Sequence, residues 1–316
     1  GLVWFGLVWF GLVWFGLVLK RLTMSTISTA SWTHEKIHAN GIQFHYVTEG
    51  EGPLMLLLHG FPEYWYSWRH QISEFAKNYK VVALDMRGYG QTDRPLGKEN
   101  YTIEVLVNDV KEVINALGYK KCVLVGHDWG AIVAWYTAMH AESFVDKLIV
   151  MNVPHPQCYM ENLNLNQVLR SWYIWFFQLP KLPERYVKAK DFKWISDQFG
   201  NAVNPSAFSE EDLNNYKENA AIPGALTAMI NYYRNLPAEM LKRDVTPIIQ
   251  APTLMLWGEN DVYTSKDTTQ GTDKYVKNLE LKFLPNCSHW TQQDCPKEVN
   301  QLMTDFLMPA PIANTI

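Results

Sequence analysis

Short runs of apolar residues alternate along the chain with longer segments of helical periodicity. Each short run is continuous, which is typical of strands buried on both faces of a parallel sheet. These runs are Leu54 to Leu58, Val81 to Leu84, Val123 to Val125 and Leu148 to Met151. Between them, an apolar stripe from Ile103 to Leu117 predicts a helix. Asn40 and Gly41 form a strong turn dipeptide and predict an edge hairpin over residues 37–47. Alternation of this kind predicts an α/β fold with a mostly parallel sheet covered by helices on both faces.

The pattern changes near His155, where helical, aromatic-rich sequence without strand candidates begins and continues to about residue 243. Strand-like runs return at Thr253 to Trp257 and at Leu279 to Leu284. We therefore predict a core made of residues 24–154 and 244–316, with a helical cap of residues 155–243 inserted into it. In such a layout the reacting centre is expected between core and cap.

The first residues form a separate segment, 1–23, in which Gly-Leu-Val-Trp-Phe occurs three times in succession. Nineteen apolar residues before Lys20 and Arg21 are long enough for a membrane anchor that leaves the catalytic part in the cytoplasm. The alternative is an artefact of translated repeat sequence ahead of Met24. Both interpretations stay open, and the segment is left out of the fold prediction. Without an anchor we expect a cytoplasmic protein.

Composition narrows the function further. The 316 residues are 47% hydrophobic and carry a net charge of only -4, without a long basic run, so we expect no nucleic-acid partner. The four cysteines lack metal-ligand spacing and are interpreted as reduced thiols, with a disulfide between Cys287 and Cys295 as the less favoured alternative. No metal or cofactor is expected, and the chain is expected to be a monomer or a homodimer.

The segment from Gly126 to Ala131 has the small residues of a strand-turn-helix nucleophile elbow, with Asp128 where serine hydrolases carry serine. This turn exposes residue 128 at the carboxyl end of a strand and points a helix N-terminus at it. An aspartate there is ionised at neutral pH and can attack a saturated carbon, which forms an ester on the enzyme.

An acid and a histidine should follow the elbow in chain order. Asp261 lies just past a predicted strand and His289 lies in the loop after the last strand. Glu259 competes for the acid role, but Asp261 lies farther into the loop and is preferred. The expected oxyanion donors are the backbone N–H groups of Trp129, which follows the nucleophile, and of Phe61, in the loop after an early strand.

Together, His59 to Glu63, Gly126 to Gly130, Asp261 and His289 resemble the α/β-hydrolase-fold epoxide hydrolases, over residues 33–307. The chain is similar both to bacterial members and to the membrane-anchored epoxide-hydrolase-like proteins of animals. The resemblance implies the α/β-hydrolase fold with an inserted helical lid. It also implies a two-step reaction of a small apolar epoxide with water, which yields a vicinal diol.

The family uses two cap tyrosines, which the resemblance places at Tyr173 and Tyr233, with Tyr232 as a rival for the second. A neutral phenol can donate a hydrogen bond to the epoxide oxygen as the ring opens. The alternative activity is a haloalkane or haloacid dehalogenase, which uses the same nucleophile, acid and histidine. Dehalogenases usually carry an amide donor where Phe61 stands, so Phe61 and the tyrosines favour epoxide opening. A non-catalytic binding protein on this fold is expected to have lost part of the set.

Overall fold

The computed structural model describes residues 32–242 and 246–308, and an eight-stranded sheet forms its centre. The strand order is β1-β2-β4-β3-β5-β6-β7-β8, and all pairs from β4 to β8 are parallel. The antiparallel pairs are β1 with β2 and β2 with β4, at one edge. The strands are β1 Thr33–Ala39, β2 Ile42–Glu49, β3 Leu54–Leu58, β4 Lys80–Leu84, β5 Cys122–His127, β6 Val145–Met151, β7 Thr253–Gly258 and β8 Leu279–Leu284.

Helices connect these strands, and a group of them forms the long chain segment that links β6 to β7. The α-helices are α1 Ile72–Phe75, α2 Ile103–Ala116, α3 Trp129–His140, α4 Pro156–Glu161, α5 Leu165–Arg170, α6 Trp172–Phe176, α7 Leu182–Gln198, α8 Glu210–Ala221, α9 Ala225–Met240, α10 Thr291–Asp294 and α11 Pro296–Leu307. Short 3-10 helices occur at Trp65–Trp68, Lys98–Tyr101, Glu142–Phe144, Phe199–Asn201, Lys266–Thr269 and Thr272–Lys274. Left-handed backbone at Lys190, Asp191 and Phe192 interrupts α7.

The predicted α/β fold is confirmed, and local sequence explains its main elements. Every residue of β3 and β5 is buried, as continuous apolar strands in the middle of a parallel sheet should be. Asn40 and Gly41 turn the chain between β1 and β2 with φ of +44° and +77°, the left-handed values that a tight hairpin needs. The helix α2 begins after Thr102 and ends before Gly118, whose φ is +84°.

The chain segment that follows β6 and precedes β7 is helical, and residues 155–242 contain no strand. The domain borders at 154/155 and 243/244 remain a prediction, because the described residues from Thr33 onward belong to one compact unit. The repeat segment 1–23 lies outside the described residues. Across residues 32–242 and 246–308, every helix falls short of the length and apolarity that a membrane span requires.

Candidate active site

Asp128 occupies a sharp turn between the end of β5 and the start of α3. Its φ of +48° and ψ of -121° are a conformation that L-residues rarely adopt. Gly130 allows this turn, because a Cβ added there would lie 2.1 Å from the carbonyl oxygen of Leu58. The predicted elbow is therefore present, and the carboxylate lies at the N-terminus of α3, where negative charge is stabilised.

Backbone N–H groups around Asp128 match the predicted oxyanion donors. The N–H of Phe61 donates a 2.7 Å hydrogen bond to Oδ1 of Asp128. Trp129 is the first residue of α3, so its amide lies at the helix N-terminus directly after Asp128. The Phe61–Pro62 peptide bond is cis. Oδ1 of Asp128 thus already accepts from one of the two predicted oxyanion donors.

His289 lies between Asp128 and Asp261. Its Nδ1 is 2.7 Å from Oδ2 of Asp261, and its Nε2 is 3.5 Å from Oδ2 of Asp128. Glu259, the rival acid, instead pairs with Lys266 at 2.6 Å on the surface. The structure therefore brings Asp128, His289 and Asp261 together and leaves Glu259 out.

Several donors hold Asp261 in place for this pairing. Its Oδ1 accepts the N–H groups of Tyr263 and Thr264 at 2.7 and 2.9 Å. Its Oδ2 accepts the side-chain amide of Asn152 at 2.7 Å. Asn152 itself follows β6 with a φ of +53°. The carboxylate is thus fixed by hydrogen bonds at both oxygens, and this ordering fixes the imidazole that it contacts.

The charges of the three groups are linked. Burial lowers the pKa of His289, but the carboxylates of Asp261 and Asp128 outweigh burial and raise this pKa to about 10. Burial raises the pKa of Asp128, yet hydrogen bonding and charge from His289 hold this pKa below its usual value. In the resting protein the site therefore contains an imidazolium between two carboxylates.

Tyr173 in α6 and Tyr233 in α9 reach the same site from the cap. Their ring centroids are 5.8 Å apart, and the ring of Tyr233 packs edge-on against that of Phe61 at 5.2 Å. Burial and the charge of Asp128 raise the pKa of both phenols well above 10. Both are therefore neutral at pH 7 and keep a proton to donate. Tyr232 points elsewhere, because its hydroxyl donates to the carbonyl of Arg87 at 2.7 Å.

Two cavities of about 470 and 460 Å³ meet at this point. Asp128, Tyr173 and Tyr233 border both of them, whereas His289 borders only the second. A substrate lying between the phenols and the carboxylate can therefore extend in two directions, and the space beside His289 belongs to the second cavity.

A buried network of hydrogen bonds lies beneath the site and involves residues without a predicted catalytic role. Oε2 of Glu63 accepts the N–H of Gly60 at 2.9 Å and lies 2.9 Å from Nδ1 of His127. Nε2 of His127 lies 2.8 Å from the carbonyl oxygen of His289. His127 thus connects Glu63 to the main chain of His289. Glu63 ends the motif His59 to Glu63, but a sequence does not show that this acid is buried.

The four cysteines are free thiols, three of them buried. Among the described residues, Cys287, Asp294 and Cys295 are the one group whose potential ligand atoms lie within 4.8 Å of one another. The carboxylate of Asp294 already accepts three backbone N–H groups. This occupied carboxylate does not fit the open ligand set that a metal ion needs.

Comparisons with known proteins agree with this geometry. A family model described as the alpha/beta hydrolase fold matches residues 53–295. Epoxide hydrolase 4 of Homo sapiens is 44% identical over 295 residues, which cover 90% of this chain and 81% of the relative. A crystal structure of an epoxide hydrolase from Bacillus megaterium in complex with an inhibitor superposes with a TM-score of 0.80 at 36% identity, covering 86% of this chain and 99% of that one. An epoxide hydrolase from Vigna radiata superposes with a TM-score of 0.78 at 30% identity, covering 88% of this chain and 98% of that one.

Proposed function

The chain belongs to the α/β-hydrolase-fold epoxide hydrolases, and we propose that it hydrolyses epoxides to vicinal diols through an ester on Asp128. One observation carries the proposal: an ionised carboxylate at the elbow shares its cavities with two neutral phenols and lies 3.5 Å from a histidine. A carboxylate opens an epoxide much faster when the ring oxygen receives a proton as the C–O bond breaks.

In the first step, Oδ2 of Asp128 attacks a ring carbon, and the C–O bond of that carbon breaks. The developing alkoxide takes a proton from Tyr173 or Tyr233, while the other phenol donates a hydrogen bond. The product is a hydroxyalkyl ester, with Oδ1 of Asp128 as its carbonyl oxygen beside the N–H of Phe61. The tyrosinate regains its proton from the imidazolium of His289, directly or through solvent.

Ester formation prepares the second step. It removes one of the two carboxylates that raise the pKa of His289, so the neutral imidazole becomes available as a base. His289 then takes a proton from water, and the hydroxide attacks the ester carbonyl. The oxyanion is held by the amides of Phe61 and Trp129, the ester C–O bond breaks, and the imidazolium gives its proton to the leaving diol. The carboxylic acid formed on Asp128 then passes its proton to His289, which restores the resting carboxylate and imidazolium.

Halide displacement by the same carboxylate is the alternative. It requires donors for a leaving halide, whereas epoxide opening requires a proton for an oxygen that stays on the product. The two neutral phenols, Tyr173 and Tyr233, fit the second requirement. The aromatic lining of the second cavity, with Trp172, Trp194 and Trp290, favours apolar epoxides. The proposal keeps the cytoplasm as the location and a monomer or homodimer as the assembly.

The proposal is tested by trapping the ester. A His289→Gln variant lacks the base for the second step, so incubation with a panel of epoxides and haloalkanes should leave a covalent adduct that intact-mass measurement detects. An adduct equal in mass to the whole epoxide, mapping to Asp128, is the expected result. The double variant that also carries Asp128→Ala is the control and should keep its unmodified mass.

The other outcomes separate the alternatives. An adduct from a haloalkane that has lost its halogen, with none from epoxides, would favour the dehalogenase. No adduct from either class would refute covalent catalysis by Asp128.

A further inference from the structure

Asp294 is a buried carboxylate that holds the backbone of both the core and the cap. Its Oδ2 accepts the N–H of Ser288 at 2.8 Å and the N–H of Val203 at 3.0 Å, and its Oδ1 accepts the N–H of Asn204 at 2.7 Å. Ser288 immediately precedes His289. Val203 and Asn204 belong to the cap loop, residues 202–209, between the 3-10 helix Phe199–Asn201 and α8.

The charge of Asp294 suits this arrangement of donors. Three N–H groups converge on both oxygens of one carboxyl group, and this suits the ionised form, which accepts at both oxygens and donates at neither. Hydrogen bonds to a charged acceptor are about twice as strong as neutral ones. An asparagine in this place would direct its NH₂ group at one or more N–H donors. The site therefore requires aspartate, and Asp294 acts on the backbone directly before His289 rather than on the imidazole itself.

The main chain of His289 is held from two directions. Asp294 fixes the N–H of Ser288 on one side, and Nε2 of His127 meets the carbonyl of His289 at 2.8 Å on the other. The cap also packs on the next residue, since the indole N–H of Trp290 donates to the carbonyl of Gln198 at 3.1 Å and its ring lies 4.4 Å from that of Phe199. A shift of the cap loop is thus passed to the loop that carries His289.

We propose, on the basis of the function above, that Asp294 is a positioning residue for the second step, because it places His289 for water activation while the cap loop is held on the core. The first step depends on Asp128 and the cap phenols and is less sensitive to the imidazole position. The second requires Nε2 of His289 within hydrogen-bond reach of a water that faces the ester. A misplacement of about 1 Å can cost about 100-fold in rate.

The test compares Asp294→Asn with Asp305→Asn, which removes the same charge from the exposed end of α11, where Asp305 accepts a hydrogen bond from Gln301. Rapid-quench kinetics with intact-mass detection measure ester formation and ester hydrolysis separately. For Asp294→Asn we expect hydrolysis to slow by about 10- to 100-fold, with ester formation within about threefold of wild type. Ester should therefore accumulate, and kcat and KM should fall together. Asp305→Asn should behave as wild type.

A second variant tests the cap side and protects against misfolding of the first. Val203→Pro removes one N–H from Asp294 and keeps its charge and the Ser288 bond. Val203 is 39% exposed, and the preceding Ala202 already has φ -59° and ψ 136°, as a residue before proline requires. We expect ester hydrolysis in this variant to slow by about three- to tenfold.

The outcomes distinguish the two proposals. The positioning role is wrong if Asp294→Asn slows both steps equally, or if neither Asp294→Asn nor Val203→Pro changes the ratio of the two rates. The proposed function still stands in that case, provided that His289→Gln traps an ester. A role limited to the Ser288 loop is indicated if Asp294→Asn alone changes the ratio, and this overturns the coupling to the cap. If His289→Gln traps no ester, the proposed function fails first.

Discussion

The core half and the cap half of the site are held in place by different means. In the core, Phe61, Asp128, Asp261 and His289 lie just beyond the carboxyl ends of strands, and backbone N–H groups bind both carboxylates. In the cap, phenols reach the site from helices and are placed by packing of aromatic rings. Strand ends of a parallel sheet are fixed by the ladder of hydrogen bonds, whereas helix positions in the cap depend on how side chains pack. Asp128 takes part in both steps, and beyond it we expect Asp261 and His289 of the core to control ester hydrolysis and the cap phenols to control ester formation.

The largest effect should come from the orienting acid of the core. Asp261→Asn would leave Nδ1 of His289 facing an amide, and loss of the matching acid in a serine protease costs about 10⁴-fold in kcat. We expect a loss of about 10³- to 10⁴-fold here, confined to ester hydrolysis, measured by single-turnover kinetics. Glu259→Gln is the matched control two residues away and should stay within about threefold of wild type.

Two results would contradict this assignment of the core residues. A loss of similar size in Glu259→Gln would mean that the acid had been assigned incorrectly. A slowed first step in Asp261→Asn would mean that the core half also sets ester formation.

An intermediate effect is expected from the cap. Tyr173→Phe and Tyr233→Phe each remove one donor to the developing alkoxide, and a well-placed donor of this kind is worth about 100- to 1,000-fold in rate. The loss should fall on ester formation, with the hydrolysis rate constant changed by less than about threefold. The same kinetic measurement separates the two steps.

Tyr232→Phe is the matched control for Tyr233→Phe. Its hydroxyl donates to the carbonyl of Arg87, so its loss should lower the free energy of unfolding by about 1–3 kcal/mol and leave both rate constants nearly unchanged. A large loss of ester formation in Tyr232→Phe, with none in Tyr233→Phe, would exchange their roles.

The difference between the two halves also explains what could be predicted from sequence. Continuous apolar runs located β3 and the central part of β5, and the elbow then placed Asp128 at the end of β5 without any relative. Chain order was enough to select Asp261 and His289, because strand ends of a parallel sheet meet at one edge. The preference for Asp261 over Glu259 rested on a difference of two residues in loop position. The partners of Asp261, which are Tyr263, Thr264 and Asn152, became visible only in three dimensions.

The cap could not be predicted in the same way. Trp172 to Phe177 is an aromatic run in which helical periodicity cannot distinguish Tyr173 from its neighbours, and only the family resemblance singled it out. The left-handed residues inside α7 carry no glycine or other sequence signal from which this backbone conformation could be predicted. Asp294 was missed because its three partners are backbone N–H groups, two of which lie about 90 residues earlier in the chain.

The last expected difference between core and cap is in how the free energy of unfolding depends on pH. The pKa of His289 is raised from 6.5 to about 10 by the core carboxylates, so the folded state holds one more proton than the unfolded state between these values. The stabilisation is complete below pH 6.5 and is lost as pH rises through 10, at about 1.4 kcal/mol per pH unit in between. The free energy of unfolding of the wild type minus that of His289→Gln, measured with denaturant from pH 7 to 9.5, should therefore decrease as the pH rises. The cap phenols titrate well above 10 when folded, and an unfolded tyrosine keeps its proton below about pH 9.5. The corresponding difference in the free energy of unfolding between the wild type and Tyr173→Phe should consequently stay constant over the same pH range. A parallel decrease in both differences would show that the charge of the site is shared between core and cap.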